Sequence, residues 1–177
     1  MLKLQGNDIY LAVMERKDCI RIWNDFEYDF DHPTEPLNIG HSEEKADQWF
    51  DDIQKNQGDN AVRLGIFLND GTIIGDIALQ DIDKMNRKCS VGLGIAKTGN
   101  RSKGYGKQAV KLMLHYGFYY MGLERITANT LEINTAAQKS LEQTGFVLEG
   151  VERKAIFMNC NRYSRLNYAI LKEDYQK

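Results

Sequence analysis

Apolar positions change their period several times along the chain, and each change marks an element. Loose alternation in LKLQGNDIYLAVM predicts a first strand around Ile9 to Val13, and a helix over Asp18 to Phe26 follows. FEYDFDHPTEPLNIG then holds both prolines of the chain and reads as a loop. In HSEEKADQWFDDIQKNQG, Ala46, Trp49, Phe50 and Ile53 form one apolar stripe at helical spacing, with Ser42 placed to cap and Gly58 to stop.

Period two then takes over. VRLGIFL and TIIGDIAL flank Asn69-Asp70-Gly71, residues that tolerate the positive φ of a tight hairpin turn, and CSVGLGIA follows the polar turn DKMNRK. Three antiparallel strands are therefore expected in succession. Ala109, Leu112, Met113 and Tyr116 restore helical spacing, ending near Gly117 or Gly122. RITANTL predicts a strand, NTAAQKSLEQTG a helix with Asn134 near its start and Gly145 at its stop, and FVLEGV and RLNYAIL two closing strands. The order β-α-α-β-β-β-α-β-α-β-β describes a mixed α/β fold, read as one domain over residues 1–177.

An apolar share of 42% and a charged share of 27% match ordinary globular composition, which argues against disorder. The chain carries no apolar run long enough to span a bilayer, and its N-terminus lacks the features of a secretory leader, so the expectation is cytoplasmic, without a membrane partner. Cys19, Cys89 and Cys160 are widely spaced, which predicts reduced thiols and no metal site. A net charge of −2 hides an asymmetry, with −8 over residues 1–60 and +6 over residues 61–177. The positive charge gathers around one loop, so no nucleic-acid footprint is expected.

That loop is GNRSKGYGKQA, residues 99–109. A Walker A reading fails because Tyr105 stands where lysine is required. Gly104-Tyr105-Gly106-Lys107-Gln108-Ala109 satisfies a dinucleotide fingerprint, but Lys97 to Lys103 separate it from the preceding strand, and the strands before it form a meander instead of a βαβ unit. Glycines at 104 and 106 let backbone N–H groups approach a pyrophosphate, the following helix aims its positive end there, and Arg101, Lys103 and Lys107 add cations.

The strand, polar loop and Arg101-Ser102-Lys103-Gly104-Tyr105-Gly106 together resemble the GNAT superfamily of acetyl-CoA-dependent N-acetyltransferases, whose loop follows Gln/Arg-x-x-Gly-x-Gly/Ala. NTAAQKSLEQTGFVLEGVER, with Asn134, Gly145-Phe146 and Glu149-Gly150, is similar to the subgroup of ribosomal-protein and polyamine N-acetyltransferases. The resemblance implies a GNAT fold: a mostly antiparallel, twisted sheet flanked by helices and splayed at its two central strands. It implies acetyl-CoA as cosubstrate, held by Leu93, Gly94, Ile95, Arg101, Ser102, Lys103, Gly104, Tyr105, Gly106, Lys107 and Asn134. The backbone N–H at Leu93 would stabilise the oxyanion, and Asn134 would bond the pantetheine arm.

The family's proton donors and base are replaced. Leu141 stands at the usual tyrosine position, Ala137 and Ile156 at the serine and glutamate used by relatives that modify ribosomal proteins, and Ser90 at the glutamate of the central strand. Ser90, Asp76, Asp81 and Tyr163 are the candidate substitutes, while His32, His41 and His115 are read as structural. Two functions stay open: acetyl transfer to a primary amine, or coenzyme A binding by a sensor that has lost transfer. Glu27, Asp29, Asp31 and Glu35 in the acidic loop would suit a cationic acceptor such as a polyamine, an aminoglycoside or a protein N-terminus. Relatives are often dimers, so a homodimer is a further expectation.

Overall fold

The computed structural model describes residues 2–30, 33 and 42–175. Eight strands form one sheet in the order β1-β2-β3-β4-β5-β6-β8-β7. They are β1 (Lys3–Gln5), β2 (Ile9–Ala12), β3 (Val62–Leu68), β4 (Ile73–Asp83), β5 (Lys88–Ile95), β6 (Arg125–Leu131), β7 (Val147–Met158) and β8 (Asn161–Leu171). Helices α1 (Arg16–Asn24), α2 (Glu43–Asn56), α3 (Tyr105–His115) and α4 (Thr135–Glu142) cover it. All neighbouring strands run antiparallel except β5 and β6.

That exception creates the site. β5 and β6 pair only from Lys88, Cys89 and Ser90 to Arg125, Ile126 and Thr127, whereas β5 stays paired with β4 as far as Ile95. Beyond Ser90 the two central strands part, and the sheet opens into a cleft. A core of Leu64, Ile77, Leu79, Met113, Phe118 and Ile126 holds the closed end between the sheet and α3. On the other side, Met14, Cys19, Ile22, Ile53 and Phe67 fasten α1 and α2.

β3 and β6 occupy the residues that the alternation predicts. Ser42 accepts from the Lys45 N–H and caps α2, and Gly58 follows that helix at φ +82°. β1 is an addition, three residues long and too short to register as a period. The closing strands are longer than expected because β7 passes a bulge after Glu152, with Lys154 at φ +55°, and resumes its ladder as Ile156 to Met158 pair with Asn161 to Tyr163 of β8. They turn through Asn159 and Cys160 at φ +51° and +58°.

Candidate functional site

The cleft between β5 and β6 encloses about 950 Å³ and runs from the N-terminus of α3 to α1 and α2. Its donor-side wall is largely backbone. The Ala96 N–H donates to the Ile74 carbonyl of β4 at 3.0 Å, so strand alternation turns the N–H groups of Ile95, Leu93 and Val91 to the opposite edge. β6 has departed there. Leu93 and Ile95 therefore present donors to the opening, and the Leu93 side chain, 42% exposed, reaches within 3.5 Å of a Cβ placed on Gly106.

At the end of this strand the chain makes one 3₁₀ turn, Thr98–Asn100, and enters α3. Gly104 caps the helix at φ +84°, a left-handed conformation that a side chain would strain, and no side chain caps the N-terminus. The N–H groups of Tyr105, Gly106 and Lys107 thus lack helical partners and meet the cleft, together with the positive end of the helix dipole. Such a helix N-terminus can accept an anion.

Glu27, exposed at the cleft's corner, braces the turn that follows β5. Glu27 accepts from the Thr98 N–H at 2.8 Å and from the Thr98 hydroxyl at 2.6 Å. These bonds hold its carboxyl below the usual range. Arg101 donates to the carbonyls of Ile95 (3.2 Å), Glu27 (2.9 Å) and Ala96 (3.4 Å), so its guanidinium braces the loop. Asp31, His32, Glu35 and His41 lie outside the described residues.

Residues 10–147 match the family described as "Acetyltransferase (GNAT) domain". The chain belongs to the GNAT acetyltransferase family. It is 30% identical over 125 residues to the uncharacterized N-acetyltransferase YnaD of Bacillus subtilis, covering 70% of this chain and 72% of that protein. A further Bacillus subtilis relative matches over 66% of this chain and 63% of its own length, so the chain spans about two thirds of the curated relatives. The GNAT fold recurs in ribosomal-protein-S5-alanine acetyltransferase from Vibrio fischeri, with TM-score 0.84, 20% identity and full coverage of both chains. It also recurs in spermidine N-acetyltransferase from Vibrio cholerae in complex with CoA and spermine, with TM-score 0.80 and 20% identity over 96% of this chain and 99% of that one.

Within this GNAT cleft the structure gathers Leu93, Gly94, Ile95, Arg101, Ser102, Gly104, Tyr105, Gly106, Lys107 and Asn134, while Lys103 stays outside the lining. Lys107 donates from Nζ to Gln143 at 3.1 Å and ties α3 to α4. Asn134 caps α4 by accepting from the Ala137 N–H at 3.0 Å, which leaves its Nδ2 as the polar group able to reach a ligand. Lys139, Ser140 and Gln143 also line the donor half. Sequence reasoning missed them, although their spacing on α4 beside Asn134 offered a signal.

Of the substitutes for acid and base, only Asp76 lines the cleft. It stands on β4 opposite Gly94, with its side chain 13% exposed and ion-paired to Arg63. Burial pushes its carboxyl up, and the Arg63 guanidinium pulls it part of the way back. Ser90 lies where β5 and β6 still pair and donates to Asp81 at 3.0 Å. Asp81, at φ +55°, borders a smaller hollow beyond Trp49 and Arg63. Tyr163 pairs with Ile156 in the β7–β8 ladder; Ile156 lines the cleft and Tyr163 does not. Among the described residues no group of three His, Cys, Asp or Glu side chains could hold a metal ion, and no helix is long and apolar enough to cross a membrane.

Proposed function

We propose that the chain transfers an acetyl group from acetyl-CoA to a primary amine bound in the same cleft. The supporting observation is the continuity of the bare N–H edge of β5 with the uncapped N-terminus of α3. Tyr105, Gly106 and Lys107 would bind the pyrophosphate through backbone N–H groups. Leu93 and Ile95 would hydrogen-bond the arm and acyl group as a missing strand would, with Asn134 Nδ2 opposite. The acyl oxygen, negative in the transition state, would accept from the Leu93 N–H.

Asp76 is the base that this geometry supports, directly or through one water. The ammonium of the acceptor gives a proton to its carboxylate, and the neutral nitrogen forms a C–N bond to the acyl carbon. The C–S bond then breaks with its electron pair on sulfur. The nitrogen, cationic after attack, gives its second proton to solvent and the thiolate takes one from solvent, since Leu141 fills the family's tyrosine position with a hydrocarbon. A thiol of pKa about 8.5 leaves acceptably without a dedicated acid.

The test replaces Gly104 and Gly106 together by glutamate. Coenzyme A affinity, measured by calorimetry, should fall at least ~100-fold, because two carboxylates would face an anionic ligand at a helix N-terminus. The circular dichroism spectrum should persist. Unchanged affinity would remove the donor assignment. Tight coenzyme binding by the parent chain with no thiol released across an amine panel would favour the sensor.

A further inference from the structure

The half of the cleft toward α1 and α2 contrasts with the negative charge of residues 1–60. Its walls are Ile22 and Trp23 from the end of α1, Phe26 just beyond it and Trp49 from α2. The two indoles meet at 5.8 Å between ring centroids with a tilt of 34°. Phe26 is 38% exposed at the mouth. The floor is the face of β5 that carries Gly92 and Gly94 instead of side chains, and Asp76 rises beside it from β4.

Among the described residues Asp76 is the one carboxylate in the lining, and Arg63 already compensates its charge. Arg63 also lies over the Trp49 ring at 5.6 Å, which fixes that wall. A polyamine buries two or more ammonium groups and requires an acceptor for each. The apolar walls reward an aromatic or branched hydrocarbon body, and their π faces tolerate one ammonium on its way to Asp76.

We infer that the acceptor is a monoamine with an aromatic or branched aliphatic body, seated against Trp23 and Trp49 with its nitrogen over Gly94 beside Asp76. This rests on the proposed acetyl transfer and deepens it by naming the substrate class. Polycations then bind poorly despite the negative charge of residues 1–60.

The experiment compares phenethylamine, isoamylamine, putrescine and spermidine as acceptors for the full chain saturated with acetyl-CoA, by thiol release. Phenethylamine should exceed spermidine at least ~10-fold in kcat/KM, the range that one apolar pocket supplies. Trp49→Leu should raise the phenethylamine KM by ~10-fold with coenzyme affinity unchanged, and Trp49→Phe should restore most of it. A preference for spermidine by the same margin overturns the inference and leaves acetyl transfer standing. So does a phenethylamine KM that ignores Trp49→Leu. If no amine is acetylated, binding of phenethylamine to the coenzyme A complex is read from tryptophan fluorescence. Saturable quenching, lost in Trp49→Leu, supports the aromatic seat while the transfer reading fails; absence of quenching overturns the seat as well.

Discussion

The two halves of the cleft are built from different materials. The donor half is mostly main chain: the free edge of β5, the left-handed Gly104 and the first three N–H groups of α3. The acceptor half is mostly side chain: Trp23, Phe26 and Trp49 around the Arg63–Asp76 pair. A backbone site needs particular residues only where a side chain would obstruct it, so many sequences can line it and one ligand suits them all. A side-chain site changes with every substitution in its walls. On the proposed reading, the acyl donor can stay the same while the acceptor varies.

The sharpest way to separate the halves is Asp76→Asn. It keeps an acceptor for the Arg63 guanidinium and removes the proposed base, so kcat should fall by ~10²–10⁴-fold while coenzyme affinity stays within about twofold. The parent rate should climb as pH rises through the elevated Asp76 pKa, and that acidic limb should vanish in the variant. Stability runs the other way. A carboxyl whose pKa is raised by folding contributes most below its unfolded value and loses that contribution as pH passes the folded one, so the variant should lose this part of the denaturation pH profile.

Gly75 tests the partition that both halves share. A Cβ there would lie 2.0 Å from the Gly94 carbonyl oxygen, so Gly75→Ala must push β5 away from β4. A stability loss of about 1–3 kcal/mol by urea titration is expected, with donor and acceptor constants worsening together. If only one constant moved, β5 would serve one half alone.

The mildest effect concerns Glu27. Its carboxyl is held low by Thr98, so the bonds to the Thr98 N–H and hydroxyl persist above its ordinary pKa and are lost as pH falls through the depressed folded value. Exchange of the Thr98 amide should accelerate there, before the sheet amides respond. A protected amide at that pH would show that the loop stands without Glu27.

The same contrast explains what could be read from sequence. GNRSKGYGKQA is contiguous because a loop and the first turn of its helix are contiguous, and RITANTL declares itself as a strand buried on alternate positions. Leu93 and Asn134 came from family resemblance, and both stand on the cleft. The acceptor wall escaped because Trp23 and Trp49 look like core positions on amphipathic helices, and partly they are. Asp76 was one of several carboxylates until the pairing of β4 with β5 set it beside Gly94. Charge alone did not reveal that Glu27, an exposed acid in a polar loop, also accepts two hydrogen bonds from Thr98.

The joint of Glu27 and Arg101 has a consequence for anyone who would transplant this site. Residues 26–27 and 95–101 are distant in sequence, yet each supplies the other's footing through three side-chain hydrogen bonds, two from Thr98 to the Glu27 carboxylate and one from Arg101 to the Glu27 carbonyl. The glycine-rich loop is thus not a portable cassette. A graft carrying residues 99–109 alone would leave the Arg101 guanidinium without the carbonyl of its distant partner, and the recipient scaffold would have to provide a substitute.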